Sequence, residues 1–115
     1  MNSKSKGNMG ESMASNHLKS KGLEIIERNY RFKKAEIDLI GILNNELLVF
    51  VEVKMRKGNT HGFPEEFVTT GQVRQIKRAA ENYIFAINWH KDIRFDVIAI
   101  EELTNTLTHF EDAFY

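Results

Sequence analysis

The chain has 115 residues, of which 42% are hydrophobic, and it contains no cysteine. This length suffices for one domain with a buried core and is too short for two, and the lack of cysteine excludes disulfides and thiolate metal sites. Its 16 Lys and Arg residues balance its 16 Asp and Glu residues, so net charge alone does not point to a nucleic-acid partner.

The N-terminal region predicts a short leader followed by a helix. Residues 1–8 are polar and lysine-bearing, which predicts a flexible leader ahead of a domain over 9–115. They resemble neither a signal peptide nor a membrane span, so we expect a cytoplasmic protein with no membrane partner. A helix is predicted over Glu11–Lys21, ending at Gly22. Its apolar stripe directs Glu11 toward the protein, although stabilisation of the helix N-terminus is an alternative role for that carboxylate.

Three strands are predicted next, over Leu23–Phe32, Ala35–Leu43 and Glu46–Met55. Asn44 and Asn45 tolerate positive φ and therefore suit a tight turn. The second and third strands are accordingly predicted to form a hairpin.

Acidic residues occupy both strands of this hairpin. Glu36 and Asp38 share one face of the second strand, and Glu52 shares a face of the third strand with Lys54. Asp38 lies about as far before the turn as Glu52 lies after it, so the two carboxylates are expected to meet. Buried carboxylates are costly without a compensating cation, and oxygen ligands favour Mg²⁺ or Mn²⁺. Lys54 can then orient an attacking water; the alternative is a set of ordinary salt bridges.

The second half of the chain predicts a connecting loop, a helix and two further strands. The glycines and proline after Arg56 indicate a loop, which is followed by a helix capped by Thr69 or Thr70 and running to Ile87. Such a helix crosses the sheet, so the next strand, Ile93–Glu101, is expected to run parallel to the third. Residues 107–114 predict a last short strand or turn. The histidines at positions 17, 61, 90 and 109 have no ligand spacing, and no metal is assigned to them.

The pattern of Asp38 followed by Glu52-Val53-Lys54 resembles the signature of the PD-(D/E)XK nuclease superfamily. From residue 9 onward the chain more closely resembles the bacterial UPF0102, or YraN, family. The blocks that carry this resemblance include Gly10-Glu11, Arg28-Asn29-Tyr30, Glu36-Ile37-Asp38-Leu39-Ile40, Val49-Phe50-Val51-Glu52-Val53-Lys54 and Arg94-Phe95-Asp96.

The resemblance implies a restriction-endonuclease-like single α/β domain, with a mixed β-sheet flanked by helices, related to archaeal Holliday-junction resolvases. It implies a Mg²⁺- or Mn²⁺-dependent endonuclease acting on DNA, including branched or otherwise structured DNA. The catalytic residues would be Asp38, Glu52, Lys54 and Glu36, and the metal ligands would be Asp38, Glu52 and Glu11. Resolvases act as symmetric dimers, so a homodimer is expected by analogy alone.

Nucleic-acid contacts are assigned to basic and amide side chains, namely Arg56, Lys57, Arg31, Lys33 and Gln72, although the loop that begins at Lys57 could equally be a plain connector. Relatives tend to carry lysine at the position of Gln72, so a charge is missing there. The alternative function is a non-catalytic module that binds nucleic acid or a protein partner on a nuclease-like fold. Neutral net charge and Gln72 favour that module, whereas the presence of Asp38, Glu52 and Lys54 together favours the enzyme.

Overall fold

The protein, seen here in a computed structural model, is described over residues 3–57 and 68–114, with side chains from Met9 onward. The elements are α1 (Ser3–Ser20), β1 (Leu23–Phe32), β2 (Ala35–Leu43), β3 (Leu47–Arg56), α2 (Thr70–Ile87), β4 (Asp92–Glu101) and β5 (Thr106–Phe110). The strands form one sheet in the order β1-β2-β3-β4-β5. All pairs are antiparallel except β3 with β4. The predicted single α/β domain, with a mixed sheet flanked by helices, is confirmed.

The first helix starts earlier than its sequence pattern indicates. It begins at Ser3, whereas the apolar stripe predicts a start at Glu11, so the helix extends into the stretch assigned to the leader. Residues 3–8 contain no proline and one glycine, so nothing there strongly opposes helix formation. They also contain no apolar residue that would reveal a helical period.

The predicted hairpin between β2 and β3 is confirmed. Asn44 and Asn45 have left-handed φ values of 53° and 59°, and the register places Leu43 opposite Leu47, so the loop has three residues, 44–46. The Glu46 N–H donates to the Leu43 carbonyl at 3.0 Å. This turn fixes the register of the two strands, and therefore fixes which of their side chains meet.

The predicted crossover through α2 is also confirmed, since β3 and β4 pair in parallel. Thr69 caps α2, and Asn88 ends it in a left-handed conformation with φ of 58°. The inner side of the helix buries Ile76, Ala79, Ala80 and Tyr83. No helix in the described ranges has the length and apolar character needed to cross a membrane.

The core has two parts, one on each face of the sheet, and β2 contributes to both. Ile37 and Ile40 belong to the part that includes α2, whereas Leu39 belongs to the part that includes α1. Regular alternation would place Ile37 and Ile40 on opposite faces, so the alternation is interrupted around Asp38. Opposite this point on β1, Asn29 has a left-handed φ of 52°. Both strands therefore depart from regular geometry at the level of the candidate site.

Candidate active site

Asp38 and Glu52 meet where the regular ladder between β2 and β3 ends. The last paired positions are Leu39 and Val51, so Asp38 and Glu52 are the next residues outward on each strand. The Val53 N–H donates to Asp38 Oδ2 at 2.8 Å. The Asp38 carboxylate therefore accepts a hydrogen bond from the β3 backbone just beyond the β2–β3 ladder, and the Glu52 side chain also hydrogen-bonds to it.

Glu52 has the most strongly perturbed acidity among the described residues. Burial raises its pKa to about 9; the hydrogen bond to Asp38 and the charges of Asp38 and Glu36 add to the rise, while Lys54 opposes it. Glu52 is consequently protonated at neutral pH, and its hydroxyl donates to Asp38. Strongly perturbed acids that line a cleft are typical of functional sites, and Glu52 lines a pocket.

Glu11 and Glu36 complete the acidic group. Glu11 is half-buried on α1, and its pKa is raised by burial and then by the charge of Asp38, against an opposing hydrogen bond from Asn29. Glu36 contributes to the raised pKa of both Glu11 and Glu52 and forms an ion pair with Arg31, Nη2 to Oε2 2.9 Å. The four carboxylates selected from the sequence are thus electrostatic neighbours.

The donor set fits a hard divalent cation. Its atoms are carboxylate oxygens, and Mg²⁺ commonly binds through one or two carboxylates while keeping several waters. Asp38 and Glu52 supply such a pair, with a proton between them that a cation could replace. No three or more His, Cys, Asp or Glu side chains within 3–57 and 68–114 are arranged to hold a metal, so the pair itself is the candidate centre.

A pocket of about 440 Å³ adjoins the acidic group. Glu36 and Glu52 line one side, Lys34 contributes a cation, and Gln72 and Gln75 line it from the start of α2. The first turn of α2 carries no acidic residue, so the positive end of the helix dipole is not neutralised there. Lys34 and Gln75 were not selected from the sequence, because only the docking of α2 brings them to the carboxylates.

The side chains predicted to contact nucleic acid lie mostly at the surface. Arg31 is 74% exposed despite its ion pair, and Lys33 places Nζ 5.5 Å from the centre of the Phe32 ring. Arg56 and Lys57 are exposed at the end of β3. The loop that follows, including His61, lies outside the described residues.

Gln72 has a local structural role that the sequence analysis missed. Its N–H donates to Thr69 Oγ1 at 3.1 Å, and its Oε1 accepts the Thr69 N–H at 2.9 Å. This reciprocal pair is a capping box, and the Thr-x-x-Gln spacing in the sequence is its signal. The Gln72 amide can still meet a ligand in the pocket, but its oxygen serves the helix cap.

Asp96 anchors a second polar network, on β4. It is fully buried and accepts from Arg94 Nε at 2.9 Å, from His109 Nε2 at 2.8 Å and from the Asp112 N–H at 3.1 Å. Burial raises the pKa of Asp96, but these hydrogen bonds outweigh burial and the pKa lies below its ordinary value. His17 approaches the same network, with its Nε2 3.1 Å from His109 Nδ1. These contacts tie α1, β4 and β5 together, which gives the Arg94-Phe95-Asp96 block a structural role.

The fold and site define a class, namely a small α/β protein with a carboxylate and lysine cluster where the pairing of two neighbouring strands, β2 and β3, ends. The family model described as "Uncharacterised protein family UPF0102" matches residues 10–100, and the chain belongs to that family. The family assignment made from the sequence is confirmed.

Several relatives extend over most of the chain. The UPF0102 protein of Cytophaga hutchinsonii is 52% identical over 100 residues, covering 85% of this chain and 88% of that protein. The UPF0102 protein of Clostridioides difficile is 43% identical and covers 99% of this chain and 100% of its own length. The solved structure of Pyrococcus furiosus SfsA in complex with Ca²⁺ overlaps 96% of this chain and 64% of its own, at 13% identity and a TM-score of 0.34.

Proposed function

We propose that the protein is a Mg²⁺- or Mn²⁺-dependent endonuclease that hydrolyses phosphodiester bonds in DNA. The observation that carries this proposal is the hydrogen-bonded pair of Asp38 and Glu52 beside Lys54. Burial raises the pKa of Glu52 to about 9, so without a metal the pair shares one proton. A bound divalent cation would favour the ionised form of both side chains and would replace that proton. A salt-bridge role would not favour placing two acids against one another.

The roles of the side chains follow from their chemistry. Asp38 and Glu52 would hold the cation, and Glu11 and Glu36 would accept hydrogen bonds from waters around it. A cation bound there would polarise the phosphate and lower the pKa of a bound water. The Lys54 ammonium would orient the attacking water and offset charge that develops on the phosphate.

The surroundings of the site suit a phosphate chain. Lys34 lines the pocket beside the start of α2, where helix N–H groups and the dipole favour an anion. The exposed side chains of Arg31, Lys33 and Arg56 can contact further phosphates, which is the sequence-independent part of DNA binding. Action on DNA would agree with the cytoplasmic location expected from the sequence. A homodimer stays an expectation by analogy.

A non-catalytic binding module is the second candidate. The observation that favours it is Gln72, because its amide oxygen is used by the helix cap at a position where the family resemblance implies a charged lysine. Such a module would retain the pocket and the basic surface without hydrolysing the bound strand.

Cleavage assays separate the two candidates. Wild-type protein, Asp38→Asn and the control Asp92→Asn, which changes an exposed aspartate at the start of β4, are incubated with duplex, single-stranded and four-way-junction DNA. Each reaction is run with Mn²⁺, with Mg²⁺ and with EDTA. The enzyme hypothesis predicts metal-dependent cleavage by wild type and Asp92→Asn that is lost in Asp38→Asn. Binding without cleavage supports the module, and equal cleavage by all three proteins contradicts the assigned site.

A further inference from the structure

The helix α2 lies between two pockets. Near its start, Gln72 and Gln75 line the pocket beside the acidic group, and its C-terminal end borders a second pocket of about 340 Å³. This second pocket, called the aromatic pocket below, is lined by Glu81, Ile84, Phe85, Asn88, Trp89 and His90. With a rise of about 1.5 Å per residue, the helix covers about 20 Å between Gln72 and Phe85. A ligand that follows the outer side of α2 from the candidate active site therefore reaches the aromatic pocket.

Two aromatic rings border the aromatic pocket. Phe85 is 88% exposed, more than any other large hydrophobic side chain in the described ranges. Trp89 is half-buried, and its Nε1–H donates to the Asp92 carbonyl at 2.9 Å, which holds the indole in place. Ile84 lies beside both rings, and Lys91 Nζ lies 6.0 Å from the centre of the Trp89 ring. An exposed ring and a fixed ring beside a cation form the kind of platform on which a nucleobase stacks.

Positive charge is concentrated along this helix. Residues 70–91 hold four Lys or Arg residues and one acid, although the whole chain has zero net charge. One outward face of α2 carries, at helical spacing, the exposed residues Arg74, Arg78, Glu81 and Phe85. Within residues 3–57 and 68–114, no acidic side chain forms an ion pair with Arg74 or Arg78. Both guanidinium groups are therefore available to phosphates, and Glu81 is the one charge on this face that opposes them.

An unpaired nucleotide matches both features, since its phosphate suits the cations and its base suits the aromatic pocket. A duplex keeps the faces of its bases inside the stack, so it offers nothing to that pocket. We propose that the outer face of α2 binds a single-stranded segment of DNA, with one base stacked on Phe85 and with phosphates beside Arg74 and Arg78. This inference rests on the proposed action on DNA, and it narrows the substrate class to DNA with an unpaired segment next to the bond that is cleaved.

Binding to two kinds of single strand separates base stacking from phosphate contacts. Fluorescence anisotropy is measured in EDTA at one salt concentration, with a labelled oligothymidylate and an abasic strand of the same length. Wild type is expected to bind the oligothymidylate ~10-fold more tightly than the abasic strand. Phe85→Ala should remove most of this preference. The matched control Leu103→Ala, at a side chain that is 74% exposed in the turn after β4, should keep it. Equal affinity of wild type for both strands, or an undiminished preference in Phe85→Ala, overturns the inference.

Charge changes and tryptophan fluorescence provide two independent readouts. Arg78→Gln should weaken the binding of both strands, and Glu81→Gln should strengthen it, because each changes the charge that faces the phosphates. The control Glu24→Gln, at an exposed position of β1, should leave both affinities unchanged. Trp89 is the only tryptophan of the chain, so its fluorescence should change when the oligothymidylate binds and stay constant with the abasic strand. Unchanged fluorescence with the oligothymidylate, or charge variants that bind as wild type does, overturns the inference.

The inference and the proposed function can fail separately. Metal-dependent cleavage of duplex DNA by a protein that does not distinguish the two single strands overturns this inference alone. Strand binding that depends on Phe85, without cleavage in Mn²⁺ or Mg²⁺, supports this inference and overturns the proposed hydrolysis. Self-association of wild type in light scattering that is lost in Phe85→Ala, without strand binding, assigns the aromatic pocket to a second copy of the chain and overturns the inference.

Discussion

Replacing Glu52 by glutamine should stabilise the metal-free protein at neutral pH. The folded state must keep a proton on Glu52, whose pKa is raised by burial from an ordinary 4.5 to about 9. The unfolded chain has no such requirement and releases the proton. Glutamine has no acidic proton, and its amide N–H can donate to Asp38 as the Glu52 hydroxyl does. The variant therefore keeps the contact and loses the protonation penalty.

The size and the sign of the effect follow from linkage. A group whose pKa is raised on folding contributes less to stability as the pH rises, between its unfolded and folded values. At pH 7, roughly 2.5 pH units above the ordinary value, the penalty in wild type is at most about 3 kcal/mol. Glu52→Gln should gain up to that amount in free energy of unfolding at pH 7. The advantage should shrink by about 1.4 kcal/mol for each pH unit of acidification and be small near pH 5.

Urea unfolding between pH 5 and pH 8 in EDTA measures this difference. Glu46→Gln, at an exposed position in the hairpin turn, serves as the control. Its free energy of unfolding should differ from that of wild type by a nearly constant amount at every pH. The reasoning about the buried proton is refuted if the difference in free energy of unfolding between Glu52→Gln and wild type does not grow with pH. It is also refuted if Glu52→Gln is less stable than wild type at every pH in this range.

Three further predictions concern catalysis, pH and packing. Lys54→Met should lower cleavage by ~100-fold or more while Mn²⁺ affinity by calorimetry changes little; an equal loss of both would place Lys54 in cation binding instead. Burial lowers the pKa of His17, so wild type should lose stability as the pH falls through ~6.5, the unfolded value. The unfolding temperature of His17→Phe should depend less on pH than that of wild type. If both proteins show the same pH dependence, His17 is not its cause. Gly41→Ala should destabilise the protein by about 1–3 kcal/mol in urea unfolding. The new Cβ would lie 3.0 Å from Leu23 Cδ2 and 3.2 Å from the Glu24 carbonyl oxygen. An unchanged urea midpoint would show that β1 moves to accommodate the methyl group without loss of stability.

The strands and the acidic pair were predictable because both depend on local sequence. The turn at Asn44 and Asn45 sets the register of the hairpin, and nearly equal distances from that turn bring Asp38 and Glu52 together. The simpler argument from alternation reached the same pair but holds only in part, since alternation in β2 is interrupted around Asp38. Counting from the turn was the stronger guide, because the ladder between β2 and β3 stays in register from Leu43 to Leu39, the residue next to Asp38.

The remaining features depend on contacts between distant segments. His17 and His109 are 92 positions apart, and no ligand spacing could connect them. Lys34 joins the pocket only because α2 docks beside it. Asn29 adopts a left-handed conformation within β1, which asparagine permits but does not dictate. Each of these contacts is decided by how α1 and α2 pack on the sheet, and the local pattern of residues does not contain that information.

Calorimetric titration of Mn²⁺ into the protein at pH 7, repeated in two buffers of different ionisation enthalpy, tests the central claim most directly. If Asp38 and Glu52 form the cation site, the ion must displace the proton that Glu52 retains. The account predicts a single class of site that releases about one proton per ion bound, with both the binding and the proton release abolished in Asp38→Asn. Absence of binding to wild type, or binding without proton release that survives in Asp38→Asn, would contradict it.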